Sequence, residues 1–210
     1  MLRAVRRIVA PFGLALVLAL AFQGPALAAT VNVSIVDFAF NPTTVKPKQG
    51  DMVLWTNNGN APHTTTSDGC PGTGTVGVAL WCSPTLNDTD TFSLAFSTAA
   101  KYPYFCDIHP SMQGTVQVNM KANPKSGGVG TNFSIIWAKG SIPTGFNADI
   151  QIKRPGSTQF VDWMIDKTGT MVSAQFQPDS GTGVYQFRSR LQKGTGGASD
   201  FSKATKITVS

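Results

Sequence analysis

The 210-residue sequence predicts an all-β protein made of two successive β-sandwich units. Short runs of alternating apolar and polar residues recur in both halves, and this period of two is typical of strands with one buried face. No long stretch shows the 3.6-residue period of an amphipathic helix. The chain also has 21 glycines and 13 prolines, which favour many turns between short strands. Together these features favour antiparallel sandwiches or barrels.

Residues 1–28 are interpreted as a signal peptide. Three arginines lie among the first seven residues, an apolar run covers 12–22, and Ala26-Leu-Ala28 offers small residues for cleavage. The apolar run is short for a membrane span. We expect export to the periplasm or the cell exterior, with no stable membrane insertion after cleavage. An uncleaved anchor is the alternative.

Residues 29–120 form the first predicted unit. Its apolar runs alternate with polar residues and are separated by Gly, Pro, Asn and Asp. The clearest predicted strands are Val31–Ile35, Met52–Trp55, Thr91–Phe96 and Gly114–Val118.

Residues 131–210 form the second predicted unit, which has the size of a small seven-stranded sandwich. Its predicted strands are 148–152, 171–176, 184–191 and 204–209. Pro, Ser and Gly are frequent in residues 121–130, so this segment is predicted to be a linker.

Charge is distributed unevenly between the two units. The net charge is +6 overall, −3 over 29–120 and +6 over 121–210. This asymmetry supports two different units. The basic residues form no dense cluster in the sequence, so nucleic acid is a poor partner for an exported chain. If the basic second unit binds a partner, acidic proteins or cell-surface polymers are the expected targets.

The strongest functional signal is the stretch "YPYFCDIHPSM" at 102–112. Cys106, His109 and Met112 follow the spacing C-x2-H-x2-M, and a loop between two strands can turn their side chains to one point. His63, the only other histidine, follows a predicted strand. Two histidines, one cysteine and a weak axial methionine are the ligand set of a blue copper site.

Each of these residues also has an ordinary structural interpretation. A single cysteine is usually a small buried hydrophobe, a methionine usually fills a core, and a loop histidine is usually solvated. The joint pattern favours the metal site, because a chain with two histidines places one of them three residues after a cysteine.

Residues 30–120 resemble a small cupredoxin of the plastocyanin, pseudoazurin and amicyanin group. The matching stretches, in the family's order, are Ile35–Pro42, Gly50–Asn58, Ala61–His63, Tyr102–Cys106 and Met112–Val116. The resemblance implies a Greek-key sandwich or barrel with one type 1 copper. Its implied ligands are His63, Cys106, His109 and Met112, and the short gap between the last two is amicyanin-like.

The resemblance also implies residues that orient the ligands and a surface for partners. We expect the Thr64 backbone N–H to donate to the Cys106 sulfur and the Thr64 side chain to reach Asp107. An ordinary strand residue is the alternative for Thr64. The ligand loop should hold Pro110 beside the exposed edge of His109. In the family a redox protein usually exchanges electrons at that edge.

Cys70 and Cys82 remain after copper ligation. In an oxidising compartment they are predicted to form a disulfide that staples a Gly-rich insertion, with a second metal or redox site as the alternative. Trp81, within this insertion, is a candidate partner contact, and a buried position is the alternative.

The second unit resembles a fibronectin type III domain, an immunoglobulin-like β-sandwich. The matching stretches are Gly181–Leu191, Ile136-Trp137 and Ser199–Ser202. Tyr185 would be the corner tyrosine whose hydroxyl caps a neighbouring backbone group. Binding to a cell surface or a polymer is the role that we consider for this unit.

The predicted function is a one-electron carrier, cycling between Cu(I) and Cu(II), and not an enzyme. A copper oxidase or nitrite reductase needs a second, histidine-rich copper centre, and the blue site already uses both histidines. The alternatives are a copper-binding or copper-delivery protein and a cell-surface interaction module.

Overall fold

The computed structural model describes residues 28–67, 80–194 and 196–210. Within these ranges the chain forms fifteen β-strands and no helix, so the all-β prediction is confirmed. None of the described segments offers a helix long and apolar enough to cross a bilayer. The predicted signal peptide, apart from its last residue, lies outside the described residues.

The first unit has two sheets that enclose a core. Its strands are β1 (Thr30–Val36), β2 (Ala39–Asn41), β3 (Thr44–Val45), β4 (Asp51–Asn57), β5 (Thr91–Phe96), β6 (Ala100–Phe105) and β7 (Gln113–Val118). The sheet orders are β2-β1-β4-β5 and β3-β7-β6. The pairs β1–β4 and β3–β7 are parallel, and the other pairs are antiparallel. The chain crosses between the sheets after β2, β3 and β5.

Strand alternation builds the core of this unit. On β4, Val53 and Trp55 point inward, whereas Met52, which precedes Val53, is exposed. The Trp55 ring centroid lies 5.5 Å from that of Tyr104 on β6, in the opposite sheet. Large buried rings contribute much of the hydrophobic stabilisation of a small sandwich. The strands that lead toward His63 and Cys106 are therefore packed against each other through their rings.

The second unit also has two sheets. Its strands are β8 (Lys121–Asn123), β9 (Ser126–Gly127), β10 (Phe133–Ile136), β11 (Asn147–Lys153), β12 (Val161–Lys167), β13 (Ser173–Phe176), β14 (Gly183–Gln192) and β15 (Thr205–Val209). The sheet orders are β13-β10-β8 and β12-β11-β14-β15-β9. The Tyr185 hydroxyl accepts from the Ser180 N–H at 2.8 Å and donates to the Gly181 carbonyl at 2.9 Å. It caps the neighbouring backbone, as the sequence predicted.

The prediction of a linker over 121–130 is wrong for half of that segment, because residues 121–123 and 126–127 form strands. β8 pairs with β10, and β9 pairs in parallel with β15. The Gly and Ser residues that indicated a linker do not prevent backbone pairing at a sheet edge. The chain therefore enters the second unit directly after β7.

The two units share a buried, hydrogen-bonded interface. The Ala99 N–H donates to the Trp137 carbonyl at 2.7 Å, and the Ala99 carbonyl accepts from the Ser189 hydroxyl at 2.5 Å. All three residues are fully buried. Because Ala99 immediately precedes β6, the second unit fixes the start of the strand that leads to Cys106.

Two further contacts cross the same interface. The buried Gln49 side chain donates across it to the Ile136 carbonyl at 3.1 Å, and within the first unit to the Asn119 carbonyl at 3.3 Å. Lys101 forms an ion pair with Asp200 at 3.0 Å, but both side chains are about half exposed. An exposed ion pair stabilises little, whereas an unpaired buried polar group is costly. The buried hydrogen bonds therefore dominate the attachment of the units.

Replacing Ser189 by Ala removes the hydroxyl that donates to the buried Ala99 carbonyl. We expect the free energy of unfolding to fall by about 1–3 kcal/mol, measured by urea denaturation followed by fluorescence. Ser173→Ala, at an exposed position of β13, is the control and should change stability little. Equal stabilities of the two variants would contradict this account of the interface.

Candidate metal centre

Three donor atoms converge beyond the end of β6. The Cys106 sulfur lies 3.7 Å from Nδ1 of His63 and 3.8 Å from Nδ1 of His109. The two Nδ1 atoms are 3.2 Å apart. A soft thiolate facing two imidazole nitrogens is a donor set that suits copper. Met112 is buried at the end of the same loop, where its carbonyl accepts from the Cys106 N–H.

Backbone hydrogen bonds fix the loop that carries three of these residues. The Cys106 N–H donates to the Met112 carbonyl at 3.1 Å, and the Met112 N–H donates to the His109 carbonyl at 2.9 Å. These two bonds join the start and the middle of the loop to its last residue, Met112. The short spacing between the ligands therefore produces a compact loop rather than an open connection.

A second set of backbone bonds places His63. His63 and Leu86 exchange N–H to carbonyl bonds at 3.0 and 2.7 Å. Thr66 and Phe105 do the same, both at 2.9 Å. The segment that follows β4 therefore runs beside the end of β6. This pairing brings a histidine more than forty residues away in sequence next to Cys106.

Burial differs among the four residues. His63, Cys106 and Met112 are buried, whereas His109 is partly exposed. Burial lowers the pKa of His63, the neighbouring His109 lowers it further, and the Asp37 carboxylate acts in the opposite direction. A lowered pKa favours the neutral imidazole, which is the form that binds a metal. The partly exposed ring of His109 is the part of the site that reaches the surface.

Thr64 makes both contacts that the sequence predicted. Its backbone N–H lies 3.3 Å from the Cys106 sulfur. Its hydroxyl accepts from the Asp107 N–H at 2.8 Å. Thr64 thus donates to the Cys106 sulfur and also fixes the backbone of Asp107, the residue that follows Cys106 in the chain.

The role of Thr66 was not predicted from the sequence. Its hydroxyl donates to the Asp107 carboxylate at 2.7 Å. Asp107 is thus held through its backbone by Thr64 and through its side chain by Thr66. No sequence signal distinguishes Thr66 from its neighbours in the run Thr64–Thr66, because alternation along an irregular segment does not fix side-chain direction.

Phe38 is a second residue that sequence reasoning missed. Its ring centroid lies 5.1 Å from that of His109 at an interplanar angle of 87°, and its side chain is 64% exposed. The residue has a φ of +66°, a left-handed conformation that is costly for an aromatic residue. The adjacent Asp37 carboxylate accepts from the N–H groups of Asn60 and Ala61, which holds this turn against the loop before His63.

Trp81 does not form a partner surface. It is 7% exposed, and its indole N–H donates to the Thr65 hydroxyl at 3.0 Å. Its ring packs among the core aromatics, with its centroid 6.2 Å from that of Trp55. The interpretation of Trp81 as a contact residue is therefore wrong, and the buried alternative is correct. Pro110, by contrast, is exposed beside His109.

The predicted disulfide between Cys70 and Cys82 is not tested, because Cys70 lies outside the described residues.

Comparisons with known proteins agree with the donor set. The family described as "Copper binding proteins, plastocyanin/azurin family" matches residues 27–119. The chain is 37% identical over 84 residues to plastocyanin of Scenedesmus fuscus, covering 38% of this chain and 85% of that protein. It is 31% identical over 88 residues to amicyanin of Paracoccus denitrificans, covering 42% of this chain and 64% of that protein.

A third relative is the chloroplastic plastocyanin of Tetradesmus obliquus, which is 40% identical over 73 residues. The matched region covers 33% of this chain and half the length of that relative. The fold and the convergent donors define a copper-binding β-sandwich protein. The chain belongs to the plastocyanin/azurin family of copper-binding proteins, and copper is its cofactor.

Replacing Thr64 by Val keeps the backbone N–H at 3.3 Å from the Cys106 sulfur and removes the hydroxyl, which accepts from the Asp107 N–H and makes only a long contact of 3.9 Å with the sulfur. We expect the copper-free protein to lose about 1–2 kcal/mol of unfolding free energy, with the visible spectrum of the loaded form largely retained. Thr56→Val, on β4 away from the ligand loop, is the control. Unchanged stability together with a shifted spectrum would contradict the assigned roles of backbone and hydroxyl.

Proposed function

We propose that this protein is an exported one-electron carrier whose type 1 copper is held by His63, Cys106, His109 and Met112. The observation that carries the proposal is the convergence of a thiol and two imidazoles at a buried point that one partly exposed histidine connects to the surface. Bound copper would supply the one-electron change between Cu(I) and Cu(II).

The contribution of the protein chain is to hold the donor atoms in one arrangement. The ligand loop is closed by two backbone bonds, and His63 is fixed by its exchange with Leu86. Donors that cannot move far give similar geometries in both oxidation states, which keeps the reorganisation barrier low. This rigidity favours a carrier over a protein that must release its copper.

The histidine content supports a carrier rather than an enzyme. The chain has two histidines, and both face the Cys106 sulfur. A separate histidine-rich copper centre for substrate cannot be built from the remaining residues. We therefore assign the chemistry to electron exchange with a redox partner.

The surface around His109 suits a brief encounter with another redox protein. Phe38 is 64% exposed and Ile108 is 43% exposed, and the exposed Pro110 and Pro62 adjoin the two histidines in sequence. An apolar surface at the point of electron exchange can be desolvated at low cost, because it carries few charges that would lose water. We propose this surface as the docking site.

The second unit is proposed to be a fibronectin type III-like sandwich. The sheet orders β13-β10-β8 and β12-β11-β14-β15-β9 support this assignment, as does the capping role of Tyr185. The disulfide between Cys70 and Cys82 also stays a proposal. If it forms, thiol titration of the denatured, unreduced protein should find one thiol. Three thiols would exclude the disulfide.

Replacing Cys106 by Ser removes the proposed thiolate ligand. We expect the intense thiolate-to-copper absorption band of the Cu(II) protein to disappear, because its electronic origin is the copper–sulfur bond. Optical titration with copper is the measurement, and Ser111→Ala in the same loop is the control that should keep the band. If the band persists in Cys106→Ser, that result would contradict the proposed ligand set.

Replacing Phe38 by Asn removes the exposed ring while keeping a residue that tolerates the left-handed conformation. Loss of one aromatic contact costs about 1 kcal/mol or more in an interface, so electron self-exchange should slow about fivefold. NMR line broadening in mixtures of the Cu(I) and Cu(II) forms measures this rate. Val129→Asn, an exposed turn residue of the second unit, is the control, and equal rates in both variants would argue against docking at Phe38.

A further inference from the structure

A groove with four lysines lies at the junction of the two units. It has a volume of about 820 Å³ and is lined by Lys121, Lys125, Lys203 and Lys206, with Asn119 and Asn123 beside them. All four lysines are exposed. Among the described residues that line the groove there is no Asp, no Arg and no aromatic ring.

The positive charge of this groove is not neutralised by the second unit. Residues 121–210 contain five acidic residues. Each of them has a partner elsewhere: Asp149 pairs with Arg190, Asp162 with Gln151, Asp166 with Asn147, Asp179 with Arg154 and Asp200 with Lys101. Within the described ranges, no ion pair involves a groove lysine. An ordinary solvated face mixes both signs of charge, whereas this groove concentrates one sign.

Hydrogen bonds between its walls hold the groove open in one shape. The Thr205 hydroxyl donates to the Met120 carbonyl at 2.8 Å, and the Thr208 N–H donates to the Lys125 carbonyl at 2.9 Å. β8 also pairs with β10 beneath the groove. A preformed groove needs less ordering when a ligand binds, which raises affinity.

The position of the groove separates it from electron exchange. β7 leads from the residue after Met112 toward Asn119 and Met120, which line the groove. At about 3.3 Å per residue the groove lies roughly 20 Å from the ligand loop. A redox protein bound there would contact the chain far from His109. The groove therefore fits a partner that does not exchange electrons.

We propose that this groove binds a linear anionic polysaccharide. Ammonium groups recognise sulfate and carboxylate groups as point charges, and the amides of Asn119 and Asn123 can hydrogen-bond to sugar hydroxyls. Protein interfaces favour aromatic anchors, and binding sites for single-stranded nucleic acids favour aromatic stacking. The described residues that line the groove offer neither. A chain held in this way would be tethered to an anionic surface with its copper end free.

Heparin, a linear sulfated polysaccharide, is the probe for this proposal. The copper-loaded protein should bind it saturably, with affinity falling steeply between 50 and 300 mM salt because exposed charges are screened. The visible band should not change on binding. Replacing Lys203 and Lys206 by Gln should weaken binding at 50 mM salt about tenfold, and adding Lys121→Gln and Lys125→Gln should abolish it.

The matched control removes the same charge elsewhere. Lys46→Gln with Lys139→Gln lowers the net charge by two at exposed positions outside the groove and should keep most of the affinity. An equal loss of heparin affinity in this control would show that binding depends only on the overall charge. That result would contradict binding in the groove. Failure to bind heparin, or tighter binding to polyglutamate or duplex DNA of matched charge, would also overturn the proposal.

Discussion

The pairing between Thr66 and Phe105 is the contact on which the metal centre depends. It joins the segment after β4 to the last residue of β6, with two backbone bonds of 2.9 Å. Because of this pairing, the Thr64 N–H faces the Cys106 sulfur and His63 lies within reach of it. Without it, the two parts of the ligand set would belong to separate loops, and no spacing within either loop could bring them together.

The second unit fixes the start of β6, the strand whose last residue pairs with Thr66. β6 begins at Ala100, directly after the buried bonds from Ala99 to Trp137 and Ser189. It ends at Phe105, beside the ligand loop. One strand is therefore anchored by the neighbouring unit at its start and by Thr66 at its end. This arrangement makes the second unit part of the support of the copper domain rather than a separate module on a flexible tether.

Features that depend on residue type and on the local hydrophobic period could be predicted from the sequence. Features that depend on tertiary contacts could not. Alternation indicated the strands, and the rarity of histidine pointed to the donor set. The strands at 121–127 were missed because Gly, Ser and Pro indicate a linker, while their pairing with β10 and β15 depends on distant residues. Phe38 was missed for a related reason: its position over His109 results from a strained turn, which composition does not indicate.

The apolar surface around His109 and the lysine groove lie at opposite ends of β7. The exposed apolar residues Phe38 and Ile108 lie at the copper end, whereas the unneutralised lysines line a groove at the far end of β7. A carrier must release each partner quickly, and strong charges at the exchange surface would prolong some encounters and exclude others. A tether works in the opposite way, because several weak ionic contacts together hold a polymer for long times. Under the proposed roles, separating the two surfaces by the length of a strand would allow lasting attachment at one end without slowing electron exchange at the other.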